Sequence, residues 1–407
     1  MERGFKTQYS NTPRFRFIWK GFTMTDQYRV ISGDGHIDLN PDVWRNRVAD
    51  KWRERAPKRV KMPNGSDAVV VDDGKPNTIG VTRSVRVAHQ QMGKQVPTFE
   101  NTAGTGTPEQ RLREQEQDGI DCEVLFSQIS LVLRQAKEDG FYCELVRAYN
   151  EFLAEEYMAA APNRLICMGT IPITGIDDAI KELEHCAQLG FKGVKLERYP
   201  SGKSYPTAED DKFWAAALDL KMPLTNHSDG NMGSGRGQPD FLYPKEPGPD
   251  IHQKDAFRFF TRFTNPCMTA PLQMAFAGVW DRFPNLKFYW AETMIGWLEY
   301  GLWQIDDHYD RYIGMIHDHW GLNRLERRPS EYIKEHNYWG FLHDPVGVKR
   351  RDCIGADKLI WGTDFAHAAS EWPNSIKVME RDFAEVPEKE KRAILVDNTV
   401  RYFHLND

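Results

Sequence analysis

The chain has 407 residues, of which 40% are hydrophobic and 28% charged, and its net charge at pH 7 is −6. This is the composition of an ordinary globular protein with enough chain to bury a large core. The mild negative charge gives no reason to expect a nucleic acid or an acidic membrane surface as partner. The sequence contains no run of about 18 apolar residues, so we expect no transmembrane helix.

The cysteines are spread along the chain without a C-x-x-C pair. They are Cys122, Cys143, Cys167, Cys186, Cys267 and Cys353. This spacing favours free thiols in a reducing compartment over a disulfide framework, and we expect a cytoplasmic protein. Residues 1–23 are basic and lack the apolar core of a secretory signal, so we expect a disordered extension there. Residues 24–407 are then expected to form a single domain.

Short apolar runs alternate with longer amphipathic segments along the chain, and most are bounded by Gly, Pro, Asn or Asp, as buried parallel strands are. The predicted strands are 28–32, 122–127, 165–172, 191–197, 223–228, 286–292, 337–343 and 358–364. Between them lie segments such as 176–190, which places its apolar residues on one face of a helix. This alternation predicts a distorted (β/α)₈ TIM barrel, with a doubly wound open sheet as the alternative.

Two segments are longer than a minimal barrel requires. Residues 37–117 form an insertion after the first strand, and within it "AVVVDDGKPNTIGVTRSVRV" predicts a small hairpin with its turn near Asp73 and Gly74. Residues 229–253 are rich in glycine and proline and follow the fifth strand, so we expect an active-site loop there. The aromatic helical segment 292–316 is expected to contribute to a homodimer interface, because one barrel cannot bury all of its apolar surface.

Ionisable residues follow six of the eight predicted strands, and ordinary capping does not explain their concentration. They are Asp34 and His36, then Lys195, Glu197 and Arg198, then His227, Glu292, His343 with Asp344, and Asp364 with His367. Because the carboxyl ends of barrel strands meet on one face, we expect many of these side chains to surround one site. The sequence has no G-x-S-x-G elbow and no G-x-x-x-x-G-K-[ST] loop, so a serine nucleophile or a nucleotide site has no support.

The spacing of Asp34 and His36 puts both side chains on the same face of a strand. With His227 and Asp364 they offer two imidazole nitrogens and two carboxylates, a set that suits Zn²⁺, Mn²⁺ or Fe²⁺. We predict one divalent metal, with zinc as the first expectation and a position left open for water or substrate. The alternative is a polar barrel mouth that ordinary hydrogen bonds hold together.

Several stretches of the sequence resemble those of a known family and occur in the same order. They are "GDGHID" (33–38), "GFKGVKLE" (190–197), "APLQMAFAGVWDRFPNLKFYWAETMIGW" (270–297), "DPVGVKRRDCIGADKLIWGTDFAHAASEWPNS" (344–375) and "ILVDNTVRYFHL" (394–405). Over residues 28–405 the chain resembles the amidohydrolase superfamily, and within it the amidohydrolase-related branch that includes aminocarboxymuconate-semialdehyde decarboxylase-like proteins. The resemblance implies a distorted (β/α)₈ barrel with one divalent metal at its carboxyl face.

The resemblance also implies which residues hold the metal. The family's first-strand H-x-H matches Asp34-x-His36, its fifth-strand histidine matches His227, and its eighth-strand aspartate matches Asp364. Many members carry a histidine at the end of strand six, where this chain has Glu292. Other branches bridge two metals with a lysine on strand four, but we interpret Lys195 as structural.

Two activities follow from the resemblance, because such proteins are hydrolases or non-oxidative decarboxylases. We expect a hydrolase of a small cyclic or aromatic substrate, in which Asp364 accepts a proton from metal-activated water and His227 and Glu292 are further catalytic residues. The alternative is a decarboxylase of an aromatic or unsaturated acid. A further alternative is a catalytically silent or iron-dependent oxidative subunit of a hetero-oligomer.

Substrate contacts are expected from basic residues near the strand ends. Arg198 or Arg236 can hold a substrate carboxylate through paired hydrogen bonds in either reaction. His252 lies in the glycine-rich loop, while His343 and His367 follow the last two strands, and all three are candidates for contacts with substrate.

Overall fold

The computed structural model describes residues 28–78, 96–203, 205–227, 232, 260–261 and 264–406. The predicted extension at 1–23 lies outside these residues, as does the predicted active-site loop at 229–253 apart from Met232. Two predicted substrate-binding residues, Arg236 and His252, are therefore also outside them.

The strands confirm the predicted order. They are β1 Ile31–Ile37, β2 Lys58–Lys61, β3 Asp67–Val70, β4 Cys122–Ser127, β5 Leu165–Cys167, β6 Gly169–Thr170, β7 Val194–Lys195, β8 Leu224–His227, β9 Phe288–Ala291, β10 Asn337–Phe341 and β11 Leu359–Trp361. Each predicted strand overlaps an observed one, and the predicted strand 165–172 is divided at Met168 into β5 and β6. The barrel strands form two parallel sheets, β1–β4–β5 and β6–β7–β8–β9–β10–β11.

Hydrogen bonds link the two parallel sheets at both of their edges. Met168 donates its N–H to Leu125 O (2.9 Å), and Gly169 donates to Gly193 O (3.0 Å), so the chain changes partner between β5 and β6. At the other edge Gly35 of β1 bridges Phe365, just beyond β11. The strands therefore follow one another in the order of a (β/α)₈ barrel that is distorted at these two places.

Helices alternate with the strands. They are α1 Asp50–Arg53, α2 Pro108–Asp118, α3 Ile129–Leu133, α4 Asp139–Phe152, α5 Ile176–Gln188, α6 Asp211–Asp219, α7 Thr269–Phe276, α8 Val279–Arg282, α9 Leu298–Trp320, α10 Pro329–His336, α11 Pro345–Lys349, α12 Ser375–Asp382, α13 Glu388–Arg392 and α14 Asn398–Tyr402. Local chemistry sets the ends of α2: the Thr107 side chain accepts from Gln110 N–H, Pro108 starts the first turn, and Gly119 ends it at φ 77°. Of the helices in the described ranges, none has the length and apolar character needed to cross a membrane.

The insertion after β1 contains two antiparallel pairings, one at the turn of the predicted hairpin and one between β2 and β3. Val69 and Asn77 bridge through two hydrogen bonds of 2.8 Å, around the turn predicted near Asp73 and Gly74. The opposite edge of β3 pairs with β2, which the sequence analysis missed because "KRVK" has only one apolar residue. Residues 79–95, which include the rest of the predicted hairpin, lie outside the described part of the chain.

Most of the aromatic side chains in the described residues lie in the core. Among the fully buried side chains are Trp214, Trp290 and Trp339. His336, at the end of α10, is also completely buried, and its ring stacks on Trp280 with a centroid separation of 4.9 Å. Its Nδ1 donates to Leu286 O at 2.9 Å, because a carbonyl can only accept.

The burial of His336 predicts how the free energy of unfolding changes as the pH falls. Burial lowers the pKa of His336 to about 4, whereas an unfolded histidine titrates near about 6.5. As the pH falls through this window the unfolded state binds a proton that the native state does not, so stability is lost by about 1.4 kcal/mol per pH unit. His336→Asn retains an N–H donor but does not titrate, so its free energy of unfolding should fall less steeply.

Urea unfolding between about pH 7 and pH 4.5 measures this slope. His319→Asn is the control, because His319 is exposed and should leave the slope of the parent unchanged. Equal slopes for His336→Asn and the parent would contradict the prediction.

Candidate metal centre

Strand β1 extends further than its sequence predicts, so Asp34 and His36 lie within the strand and not beyond it. Both side chains are buried, with 1% and 2% exposure. The carbonyl of Asp34 accepts hydrogen bonds from Ser32 Oγ (2.7 Å) and from the N–H of Asp364 (2.9 Å). The strand alternation turns the Asp34 and His36 side chains towards the same interior space.

The four predicted metal ligands meet in this space. His227 Nε2 lies 3.0 Å from Asp34 Oδ1. His36 Nε2 lies 3.0 Å from Asp364 Oδ1 and 3.6 Å from Asp34 Oδ1. Glu292 Oε2 is 3.8 Å from His227 Nδ1. Residues from β1, β8 and the ends of β9 and β11 therefore share one buried cluster.

Ligand atoms of this cluster fall into two overlapping groups, in each of which all atoms lie within 4.8 Å of one another. The groups are Asp34, His36, His227 and Glu292, and then His36, Glu292, Asp364 and His367. Several of these buried atoms have no hydrogen-bond partner among the described residues. They are Asp34 Oδ2, Asp364 Oδ2 and both ring nitrogens of His36, which is close to Asp364 but not aligned for a hydrogen bond.

A divalent cation fits this set of atoms. A buried polar group without a partner costs about 1–3 kcal/mol, so ordinary hydrogen bonding among the cluster residues does not account for the arrangement. Carboxylate oxygens and imidazole nitrogens are ligands of zinc, manganese and iron. The residues that could hold such an ion are those of the two groups, and they include the four predicted ligands Asp34, His36, His227 and Asp364.

The lowered pKa values of His36 and His227 favour metal binding. Burial, with His367 and His227 nearby, lowers the pKa of His36 well below its ordinary value, and burial lowers the pKa of His227 to about 4. Both rings are therefore neutral near pH 7, which is the form that binds metal. Burial and the neighbouring Asp364 raise the pKa of Asp34 well above its ordinary value.

Glu292 is placed differently from the other acids. It follows β9 with a left-handed backbone (φ 53°), and its side chain keeps 24% exposure. Burial, followed by repulsion from Asp364, raises the pKa of Glu292 to about 7. A carboxyl group with this pKa can hold or release a proton near neutral pH, which is what a general acid or base requires.

His367 lies beside the predicted ligands. Its Nδ1 is 2.8 Å from Asp364 Oδ1 and its Nε2 is 2.8 Å from Gln128 Nε2. Its ring stacks on that of His36 at a centroid distance of 3.7 Å. Burial lowers the pKa of His367, but the hydrogen bond with Asp364 outweighs this and raises the pKa above its ordinary value.

Comparison with known proteins identifies the family. A model of the amidohydrolase family matches residues 100–405. The chain belongs to the amidohydrolase family. It is 27% identical over 247 residues to decarboxylase orsB of Emericella nidulans, covering 57% of this chain and 68% of that protein. It is 23% identical over 315 residues to 2-amino-3-carboxymuconate-6-semialdehyde decarboxylase of Dictyostelium discoideum, covering 74% of this chain and 77% of that protein.

Solved structures confirm the fold. Amidohydrolase map2389c of Mycobacterium avium subsp. paratuberculosis superposes with a TM-score of 0.68 at 16% identity, covering 92% of this chain and 99% of that one. The 5-carboxyvanillate decarboxylase of Novosphingobium aromaticivorans, complexed with manganese and 4-hydroxy-3-methoxy-5-nitrobenzoic acid, gives a TM-score of 0.62 at 17% identity, covering 93% and 96%. The predicted barrel and the predicted branch of the amidohydrolase superfamily are thus both confirmed.

Lys195 of this amidohydrolase has all three of its donors engaged. Its Nζ donates to Ser127 O (2.8 Å) and Ser130 Oγ (3.2 Å) and lies 2.9 Å from Glu197 Oε1. Burial acts to raise the pKa of Glu197, but Lys195 and Arg134 lower it to about 2. These contacts agree with the interpretation of Lys195 as a structural residue.

Three further sequence candidates, His343, Asp344 and Arg198, are not in the cluster. His343 Nδ1 lies 2.5 Å from Asp382 Oδ2 of α12, and the ring is about two-fifths exposed, with 39% of its surface accessible. Asp344 caps α11, since its Oδ1 accepts from Gly347 N–H at 2.8 Å. Arg198, in the loop after β7, is half-buried and forms no hydrogen bond or ion pair with any other residue that the structure describes.

The sequence analysis missed the pair Arg111 and Glu123, which lies directly behind the cluster. Both side chains are buried, with 1% and 2% exposure, and Arg111 Nε donates to Glu123 Oε2 at 2.7 Å. A signal was present, because Glu123 is a charge inside the apolar run "CEVLFS" and a buried charge requires a partner. The sequence did not show which of the many arginines provides it.

Metal content tests the cluster. Protein purified without added metal should carry about one equivalent of a divalent ion by mass spectrometry. The double variant His227→Ala/Asp364→Ala should carry none, because it loses one imidazole and one carboxylate of the donor set. His343→Ala/Asp382→Ala is the matched control and should retain the metal, since it removes a His–Asp pair outside the cluster. A parent protein that binds neither zinc, manganese nor iron when supplied would exclude the site.

Proposed function

We propose that this amidohydrolase is a metal-dependent, non-oxidative decarboxylase of an aromatic or unsaturated acid. The observation that carries the proposal is the cluster of Asp34, His36, His227, Asp364 and Glu292, in which Glu292 belongs to both groups of possible metal-binding atoms and burial raises its pKa to about 7. Both curated relatives are named decarboxylases, which favours this activity over the expected hydrolase. Hydrolysis is supported only at the level of the superfamily.

The four predicted ligands would hold the divalent ion. When bound, the ion would supply positive charge that orients the oxygens of an acidic substrate and stabilises negative charge developing on it. We expected zinc, but the 5-carboxyvanillate decarboxylase neighbour contains manganese, so manganese is included beside zinc. The neutral imidazoles of His36 and His227 would accept either metal without first losing a proton.

Glu292 is the proposed proton donor. In the reaction the bond between the substrate carbon and its carboxylate breaks, carbon dioxide leaves, and the bonding electron pair takes up the proton from the Glu292 carboxyl. Glu292 is left as a carboxylate and regains a proton from water. Its partial exposure gives it access to solvent, and it lies next to a predicted ligand, 3.8 Å from His227 Nδ1.

Substrate contacts are proposed for two residues in the described part of the chain. His367 is held by Asp364 at 2.8 Å, and its raised pKa favours the charged imidazolium, which can attract an anionic substrate. Arg198 follows β7 and has its guanidinium free of other described partners, so it can hold a carboxylate. Arg236 and His252 remain candidates from the sequence.

Decarboxylation can be measured directly. Manganese-loaded protein should release carbon dioxide from at least one member of a panel of hydroxybenzoic acids, and in D₂O the product should gain one deuterium at the carbon that lost the carboxylate. Glu292→Gln should lower kcat by about 10²–10⁴-fold, because it removes the proton donor. Glu151→Gln is the control. Glu151 also faces a histidine, His185, at 3.1 Å, but it lies on α4 and not in the cluster.

The outcome that would contradict this proposal is hydrolysis. If the loaded protein releases no carbon dioxide from the acids but cleaves esters, lactones or cyclic amides, the hydrolase expectation is correct instead.

We also propose that this amidohydrolase forms a homodimer through α9. The helix begins at Leu298, later than predicted, and its exposed aromatic residues Tyr300 and Trp303 are 52% and 60% accessible. They are three residues apart and thus on one face, with ring centroids 5.7 Å apart. An exposed aromatic pair of this kind is typical of protein interfaces.

Light scattering tests the dimer. The parent should have about twice the chain mass of 47.1 kDa, and Trp303→Lys should shift the mass towards that of one chain, because a charge would be buried at the interface. Val43→Lys, a change at another exposed apolar residue with 49% exposure, should leave the mass unchanged. A parent mass of one chain would refute the proposal.

A further inference from the structure

The fully buried residues of α2 are all polar or charged, although the half-buried Leu112 also packs against the core. The fully buried residues are Arg111, Glu114, Gln115 and Asp118. A helix that packs on a barrel normally buries an apolar stripe. Buried charges lose their hydration, and an ion pair often repays less than an apolar contact would. The face of α2 therefore calls for an explanation other than stability alone.

The hydrogen bonds of Arg111 show what this face contacts. Its Nε and Nη2 donate to the two carboxylate oxygens of Glu123 on β4, at 2.7 and 3.1 Å. Its Nη1 donates to His36 O at 2.8 Å, and its Nη2 also donates to Phe365 O at 3.0 Å. One guanidinium thus connects the backbone of a predicted ligand, His36, with the residue that follows another, Asp364.

The planar shape of the guanidinium is essential to this arrangement. Its centre lies 4.5 Å from the centroid of the Phe365 ring, while its donors point to Glu123, His36 and Phe365. The ammonium of a lysine is a compact point charge and cannot present donors in this fixed fork.

The sequence between the two first-strand ligands accommodates the guanidinium. A Cβ at Gly35 would lie 2.7 Å from Arg111 Nη2 and 3.1 Å from Glu123 Oε1, so only glycine leaves the necessary space. Gly35 has no left-handed φ that would otherwise require glycine. The glycine of "DGH" is thus explained by the approach of Arg111.

Two more contacts from α2 hold the segment that follows Asp364. Trp372 Nε1 donates to Glu114 O at 3.1 Å. The backbone N–H of Ser375 donates to Asp118 Oδ1 at 2.8 Å. Arg111, Glu114 and Asp118 are spaced as one helix face, and all three contact residues 365–375.

We propose that Arg111 is a positioning residue of the metal centre: by binding the carbonyls of His36 and Phe365 it fixes the separation of the His36 and Asp364 side chains. The inference rests on the proposed metal site. Residues behind the ligands of a metal site commonly change its affinity by about 10- to 100-fold when they are replaced. Arg111 differs from most of them because it acts through the ligand backbone and not through a ligand side chain.

The test is the dissociation constant for Mn²⁺, measured by titration calorimetry on metal-free protein at a temperature where each variant is folded. Arg111→Lys should raise this constant by about tenfold or more. Arg147→Lys is the matched control, because Arg147 also pairs with a buried glutamate, Glu182, at 2.9 Å but, within the described part of the chain, forms no hydrogen bond with a segment that carries a predicted ligand. It should change the thermal midpoint without changing the affinity for Mn²⁺.

A parent-like dissociation constant in folded Arg111→Lys would overturn the inference. If Arg111→Lys does not fold, Gly35→Ala takes its place, since the added methyl group displaces the guanidinium without removing it, and an unchanged constant there would overturn the inference equally. A parent protein that binds no Mn²⁺ contradicts the proposed function itself, whereas equal binding by parent and variants contradicts only the role of Arg111.

Discussion

Repulsion between buried carboxyl groups governs this site. Asp34, Asp364 and Glu292 share one small space, where like charges interact much more strongly than in water. Burial and this repulsion raise the pKa values of Asp34 and Glu292, while the nearby ring of His36 and the hydrogen bond with His367 hold the pKa of Asp364 well below its ordinary value despite its burial. A divalent cation held by Asp34 and Asp364 would relieve the repulsion between these two carboxylates, because its charge favours their ionised forms.

Such a cluster must be held by backbone, since its own side chains repel one another. Close contacts between strands provide this support: a Cβ at Gly362 would lie 2.6 Å from Asp34 Cβ, and Tyr289 OH donates to Gly33 O at 3.0 Å. The buried guanidinium of Arg111 connects the same segments from behind. Asp34, His36 and His227 are thus placed on packed strands, which position side chains more accurately than free loops do, and Asp364 lies just beyond β11.

The sequence predicted the strand order and the proximity of Asp34, His36, His227 and Asp364, because apolar runs mark buried strands and a barrel brings their carboxyl ends together. It did not predict that β1 continues through "GDGHI", where glycine and charge conceal a strand whose polar side chains face the site. His343 was expected near substrate, yet its ring faces Asp382. The position of a strand does not by itself give the direction of a side chain that follows the strand. The Arg111–Glu123 pair depends on contacts between distant segments, which one sequence does not reveal.

Hydrolysis and decarboxylation need the same ligands but different proton-transfer groups. In the hydrolase expectation Asp364 accepts a proton from water, yet its Oδ1 lies within 3.0 Å of ring nitrogens of both His36 and His367, and its low pKa makes it a weak base. Glu292, with a pKa of about 7, is suited to keep a proton and deliver it to carbon. A decarboxylase needs one such proton for each turnover, and the cluster provides a group that can carry it.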